Sequence, residues 1–436
     1  MFLEPLRWAC LSHSCPMDKR TGLACLAIVL MAGTANACTA FKSTHDGRTF
    51  IGCNEDSWSI NANVRFEQGR DGGYGTLYFA NYNGHPTRAM ADQLGMNEAG
   101  LVFDVLIVDH GPVKRRSGMP AVETDDAIRR IMRSCATVQE VEAYLRTVNT
   151  GPAVGQLFFA DAAGGYLMLE PDTLFTGNDP WFALGNWRMS KCSDPSTIPI
   201  ARLQAGRQVL MNGGGTSWEG AEKVLSTMTA CRSKMGEGTL YSVLFDPAEK
   251  KAHLYFYHDM RERVTFDVKE ELAKGDRTVD MASLFGPRPE YDRLKSYLTP
   301  FHQRWLFWSV AGVGVLALLS GIWAFALMLI WIVACVRSRR FISGLPWLPV
   351  GLASGLTILL CGTLLMQEGV FYFGLANATD RILPGLVWAP AVLLVCTAFV
   401  VRSAIQSPRH RRTLWTIAAA HGAFLAGLMY WDLLIP

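Results

Sequence analysis

The sequence predicts an α+β layered domain followed by an all-α membrane domain of about four transmembrane helices. Three observations carry that reading. Strand-length apolar runs separated by Gly, Asn and Asp turn signals recur from residue 38 to about 260, with few helical periods between them. Long apolar stretches crowd beyond residue 304. A short basic-then-apolar segment ending in small residues precedes residue 38.

The bulk numbers agree. The chain of 436 residues is half hydrophobic and its formal net charge is +3. That length allows two or three domains. The near-neutral charge gives no electrostatic footing for a nucleic-acid partner. The cysteines partition: Cys10, Cys15 and Cys25 precede the mature domain, and Cys335, Cys361 and Cys396 fall in apolar spans. Cys38, Cys53, Cys135, Cys192 and Cys231 remain. Setting Cys38 aside, the other four would allow up to two disulfides in an oxidising compartment, in any of three pairings. No CxxC pair occurs and His45, His85 and His110 are isolated, so no metal site is expected. Gly213-Gly214-Gly215 lacks a following Lys and reads as a loop, so no cofactor is expected either.

Residues 1–37 read as a signal segment whose functional start is Met17. Lys19 and Arg20 supply the positive region, Leu23 to Met31 the apolar region, and Ala35-Asn36-Ala37 the A-x-A cleavage site. An uncleaved anchor and a lipoprotein are the alternatives. The apolar run is short for a span, and the usual Leu before the Cys is missing. Cleavage would give Cys38 a free α-amine. An α-amine has a pKa near 7.7–8.0, so a useful fraction is neutral at pH 7 and can take the thiol proton.

The predicted domain covers residues 38–285. Apolar residues alternate about Asp46-Gly47, which predicts a hairpin. Further strands are expected at Gly75–Tyr82, Leu101–Val108, Gln156–Asp161 and Gly165–Glu170, and a second hairpin at Leu240–Phe245 and Ala252–His258. Helical periods cover Thr124–Ser134, Thr137–Val148 and Ser217–Met228. Thr137 followed by Glu140 is a capping-box pattern. Trp58, Trp181 and Trp187 read as core or pocket-wall residues.

The opening Cys38-Thr-Ala-Phe, the hairpin, and Gly52-Cys53-Asn54-Glu55-Asp56-x-Trp58 together resemble the linear amide C–N hydrolases. That group includes choloylglycine hydrolases, penicillin V acylases, isopenicillin N acyltransferases and acid-ceramidase-like amidases. Gly95-Met-Asn97-Glu-Ala-Gly-Leu101, Leu184-Gly-Asn186-Trp and Thr239-Leu-Tyr-Ser-Val are similar to further segments of the same family. The resemblance implies an αββα N-terminal-nucleophile sandwich. It implies that Cys38 attacks an amide carbonyl, that Asp56 holds its α-amine, and that Asn97 and Asn186 donate to the oxyanion. Arg202 falls near a structural or substrate-binding arginine of some members. Residue by residue, Asp56 could instead form a turn, Asn97 could cap one, and Arg202 could be a solvated helix residue. One departure stands out. Most relatives have Arg-Asn-x-Asp where this chain has Cys53-Asn54-Glu55-Asp56. The lost arginine leaves Glu55 and Asp56 unbalanced beside Cys38, which raises the expected thiol pKa. A disulfide between Cys53 and Cys38 would silence the nucleophile.

Residues 286–304 are expected to link this domain to a membrane domain over 305–436. Trp305–Val336, about Leu345–Met366, Leu383–Val401 and Leu414–Leu434 are the predicted spans. Arginines cluster at 337–340 and at 402–412, whereas the loop between spans two and three carries Glu368 and Asp380. The positive-inside bias then places the two arginine loops in the cytoplasm and residues 38–285 on the periplasmic or extracellular side. The expected protein is a multi-pass cell-membrane hydrolase of a small N-acyl amide. An acyltransferase with an amine acceptor, or a catalytically weak membrane-tethered sensor, are the rival readings.

Overall fold

The computed structural model describes residues 38–57, 61–81, 90–108, 115–151, 155–230, 238–338, 347–377, 384–406 and 408–434. The cleavage site, Trp58, His85, His110 and Cys231 lie outside these residues. The strands are β1 (Thr39–His45), β2 (Arg48–Asp56), β3 (Ala62–Glu67), β4 (Thr76–Asn81), β5 (Ala91–Asn97), β6 (Val102–Leu106), β7 (Gln156–Ala160), β8 (Tyr166–Leu169), β9 (Leu174–Gly177), β10 (Trp181–Gly185), β11 (Thr239–Asp246), β12 (Lys251–Phe256), β13 (Asp259–Asp267) and β14 (Arg277–Asp280). They form a six-stranded sheet, β10-β1-β2-β11-β12-β13, and an eight-stranded sheet, β14-β3-β4-β5-β6-β7-β8-β9. Every strand pairing in both is antiparallel.

The helices of this part are α1 (Thr124–Ser134), α2 (Val138–Leu145), α3 (Ala201–Met211), α4 (Trp218–Thr227), α5 (Val268–Ala273) and α6 (Pro289–Lys295). Strand alternation sorts the residues into layers. Ala40, Ile51, Val243 and Phe245 of one sheet meet Leu77, Phe79, Met96 and Phe158 of the other in a common core. Phe41, Phe50 and Leu244 face the opposite way, onto Leu203, Val224 and Leu225 of α3 and α4. Tyr78, Phe103 and Phe159 turn outward onto Ile131, Val141 and Leu145 of α1 and α2. The result is a helix–sheet–sheet–helix sandwich.

The predicted β1–β2 hairpin forms, with Asp46 at φ 48° and Gly47 at φ 76°, the left-handed backbone that a tight strand turn requires. At Gly52 a Cβ would come within 2.2 Å of the Phe41 ring, so only glycine admits that ring across the ladder. The Thr137–Glu140 capping box is present, and Ser217 caps α4. Trp187 is exposed, not a core residue. The expected disulfides do not form among the described residues. Cys53, Cys135 and Cys192 are free because each belongs to a different layer.

Four helices, over Arg304–Arg337, Trp347–Met366, Leu386–Gln406 and Arg411–Tyr430, are long and apolar enough to cross a membrane. Helix α7 is Arg304–Ser338, α8 Trp347–Met366, α9 Val370–Asn377 (two turns broken at Gly374), α10 Ala389–Gln406 and α11 Arg411–Tyr430. Leu316, Ile322, Phe325, Leu329 and Ile330 of α7 face outward, a surface suited to lipid. Small residues bring α7 and α8 together, and the Ser320 and Ser354 hydroxyls lie 2.7 Å apart between them. Residues 286–304 are a folded connector. Tyr291 packs edge-on against Phe256, the Tyr297 hydroxyl donates to the Phe371 carbonyl at 3.0 Å, and Trp431 Nε1 donates to the Leu298 carbonyl at 2.8 Å.

Candidate active site

Cys38 stands immediately before β1, between β10 and β2. Thr39 pairs with Gly185 on one side and Asn54 on the other, so Cys38 is level with Asn186 and Glu55. One strand further, Tyr241 of β11 pairs with Glu55. Alternation then decides which groups meet. Cys38 and Cys53 belong to the core between the sheets, and Glu55, two residues beyond Cys53, points into it with them. The Cys38 thiol donates to Glu55 Oε2 at 3.6 Å and approaches the Asp56 backbone carbonyl at 3.8 Å.

Asp104 of β6 enters the same space from the facing sheet and is fully buried, as are Cys53 and Tyr241. Glu55 Oε1, both Asp104 carboxyl oxygens and the Tyr241 hydroxyl lack a donor or acceptor when the acids are drawn ionised. With one proton between them, Glu55 becomes the donor to Asp104. Burial, then the charges of Glu55, Asp56 and Asp104, push the Cys38 thiol well above its ordinary range. Burial and then Asp104 push Glu55 well up. Burial pushes Asp104 up to about 6, against hydrogen bonds from Glu55 and Cys53. In the uncut chain the Cys38 nitrogen is a peptide nitrogen and adds no charge.

Asp56 points the other way, toward the helices. Its carboxylate accepts from the Arg202 guanidinium and, at 2.7 Å, from the Thr239 hydroxyl. Arg202 also donates to the Met228 carbonyl at 3.2 Å. Beside it, Asn54 donates to Thr39 Oγ1 at 3.2 Å and accepts from Ser242 at 2.6 Å. Asp56 is thus paired with a positive charge from α3, on the helix side. Arg202, offered by the resemblance as a structural or substrate-binding residue, has its guanidinium on Asp56 and the Met228 carbonyl. It is not a solvated residue.

Asn97, expected at the oxyanion, is bonded toward α1. It ends β5 on the face turned to α1, where its amide donates to the Met132 and Cys135 carbonyls at 2.9 and 2.8 Å. Its oxygen accepts from the Leu101 amide at 2.9 Å. These bonds satisfy carbonyls left open at the end of α1 and hold the β5–β6 turn, which leaves the side chain nothing to give an oxyanion. Asn186 lies across the ladder from Cys38, and its Oδ1 is buried without a partner among the described residues. Gln156 crosses from the other sheet to donate to the Gly185 carbonyl at 2.8 Å, leaving its own Oε1 unpartnered. Asp104, Tyr241, Thr239 and Gln156 were not among the residues singled out from sequence. Asp104 carried a usable signal: it is the only charged residue in the otherwise apolar Leu101–Leu106 stretch, at an inward position.

No family model matches the chain, and no curated relative matches it. Among solved structures, two variants of conjugated bile acid hydrolase from Clostridium perfringens are similar at 13% identity with a TM-score of 0.44. They cover 56% and 58% of this chain and 96% and 97% of their own. Penicillin V acylase from Agrobacterium tumefaciens is similar at 15% identity and a TM-score of 0.42, covering 56% of this chain and 86% of its own.

Proposed function

We propose that this chain is a membrane-tethered amide hydrolase in which Cys38, freed by cleavage after Ala37, attacks the carbonyl of an N-acyl substrate. The observation that carries the reading is the position of the Cys38 thiol. It heads an inner strand, level with Glu55 and Asn186, in a space where several buried polar atoms have no partner. Such atoms are costly unless a substrate or water completes them.

The sulfur would form a thioester with the acyl part, the amine would leave, and water would release the acid. The Asn186 amide, across the ladder, would donate to the oxyanion; a preorganised donor of this kind is worth about 3 kcal/mol in kcat. Asp56, fixed by Arg202 and Thr239, would hold the end of β2 and the new amino terminus. The four apolar helices would anchor the domain. Tyr297 and Leu298 touch Phe371 and Trp431, so the Glu368 end of the bundle is the end next to the sandwich. The arginine-bearing ends would then lie in the cytoplasm, with the sandwich outside.

The buried, raised thiol favours a second reading, a weak sensor that keeps the fold for binding. One experiment separates the two. The full chain is purified in detergent, its amino terminus is established by mass spectrometry, and N-acyl amides are assayed with Cys38→Ala alongside. The hydrolase reading expects Cys38 at the terminus, turnover, and loss of turnover in the variant. Binding without turnover would favour the sensor, and transfer only to an added amine would favour an acyltransferase. Full activity in Cys38→Ala would end the proposal.

A further inference from the structure

Glu55 and Asp104 are the two carboxyls that the reading above leaves without a task. We propose that Glu55, paired with Asp104 across the gap between the sheets, carries the proton of the Cys38 reaction, from the thiol to the departing amine. This rests on Cys38 being the nucleophile. The thiol already donates to Glu55 Oε2, and the strand register holds the two residues level.

A purely structural account of the pair is weak. Glu55 and Asp104 are 1% and 0% exposed, and apart from the Cys38 and Cys53 thiols and each other their oxygens meet no side-chain donor among the described residues. A core gains more from two apolar side chains there than from two acids facing each other. Two close carboxyls cannot both ionise, so they titrate as a pair and hold one proton near neutrality. The directions of both shifts agree with that. The other titratable groups facing Glu55 are the Cys38 thiol from β1, the Cys53 thiol from β2 and the Tyr241 phenol from β11, while Asp56, turned to the helices, acts on it through its charge alone. The cation of this neighbourhood, Arg202 of α3, is held on Asp56. The α-ammonium released at Cys38 would balance the negative charge of the pair.

The proton count closes. As the sulfur–carbon bond forms, the thiol proton passes to Glu55, and the proton shared by the pair moves onto Asp104. As the carbon–nitrogen bond breaks, Glu55 gives its proton to nitrogen, and the amine leaves neutral. Water then attacks the thioester, yielding its proton to Glu55, and the sulfur recovers that proton as it is expelled. Glu55 is the catalytic residue here. Asp104 is a positioning residue that sets whether Glu55 holds a proton.

The test uses the full chain in detergent, with Cys38 verified as the amino terminus. Glu55→Gln should lower amide turnover about 100-fold or more, with KM within a few-fold. The same variant should be alkylated at Cys38 by iodoacetamide at pH 7–8 within a few-fold of the wild-type rate, because the one negative charge of the pair stays on Asp104. A merely structural role would depress both. Asp104→Asn should retain measurable turnover and shift the acidic limb of the kcat–pH profile. Turnover of Glu55→Gln within twofold of wild type would overturn the proposal. So would a parallel fall of both readouts combined with an unshifted profile in Asp104→Asn. A wild type that alkylates but hydrolyses nothing would overturn the hydrolase reading and this one together. Cys38-dependent turnover that ignores Glu55 would overturn only this one.

Discussion

Removing the Arg202 guanidinium tests the helix side of the site most directly. The Asp56 side chain is 0% exposed and the Arg202 side chain 13%, so the pair is largely desolvated. Arg202→Ala leaves a buried carboxylate without its countercharge, a change that costs about 3–5 kcal/mol. Thr239 still donates to Asp56 at 2.7 Å, which favours the lower end, about 3 kcal/mol. For a domain of roughly 250 residues that is a fall in Tm of about 6–12 °C. Asp56→Asn with Arg202→Met removes both charges and should recover part of the loss, with a coupling of about 2 kcal/mol. Arg202→Lys keeps the charge but cannot serve both Asp56 and the Met228 carbonyl with a fixed fork, so it should fall between. Thermal unfolding of the sandwich by near-ultraviolet circular dichroism, in constant detergent, reads wild type, Arg202→Ala, Arg202→Lys, the single variants Asp56→Asn and Arg202→Met, and their double. Single variants within 1 kcal/mol of wild type, or a strictly additive cycle, would show that α3 does not stabilise the end of β2 through this pair.

Three further outcomes follow from the same contacts. Asn97→Ala should cost about 3 kcal/mol, because it strands the Met132 and Cys135 carbonyls and the Leu101 amide, while kcat of the folded fraction stays unchanged; a selective loss of kcat would restore Asn97 to the site. The fold holds the Asp104 proton more tightly than the unfolded chain does, so stability from this group is complete below about pH 4 and lost as pH rises through about 6. Asp104→Asn should flatten that part of a denaturation–pH series, and an unchanged slope would count against a raised carboxyl. Lys42, fully buried on β1, has the opposite sign: burial pushes it down to about 8, so stability present above its ordinary 10.5 is lost as pH falls through about 8, and Lys42→Met should remove that dependence in the same series.

Much of the fold was legible because its signals are local. Alternation and the Asp46-Gly47 turn specify β1 and β2, the Thr137 capping box specifies the start of α2, and apolar length specifies the four spans. What escaped has weak local signals. β13 reads Asp-Met-Arg-Glu-Arg-Val-Thr-Phe-Asp and carries charge along an edge of the six-stranded sheet, where solvent covers one side and no continuous apolar run is needed. β3 alternates, but its inward set is only Ala62, Val64 and Phe66. α3 has arginines and glutamine around an uneven apolar face, so its period is faint. Because α3 was given no bounds, Arg202 read as a helix residue facing solvent, with nothing to aim it at Asp56.

The site divides along the same line. Sequence neighbours in a strand point to opposite faces, so Glu55 and Asp56 cannot share one job. The motif resemblance draws the eye to Asp56, yet parity from Ile51 and Cys53 already sends Glu55 to the Cys38 side and Asp56 to the helices. Parity cannot say what waits across the gap. Asp104 belongs to the other sheet, 49 positions along the chain from Glu55, and only the stacking of the two sheets brings the acids together. Asn97 shows the converse. Its motif was legible, but its face depends on β5 pairing with β4 and β6 in a strand the sequence did not reveal, and that face belongs to α1. A motif fixes residue types and spacing; the sheet face fixes which of those residues can reach the sulfur.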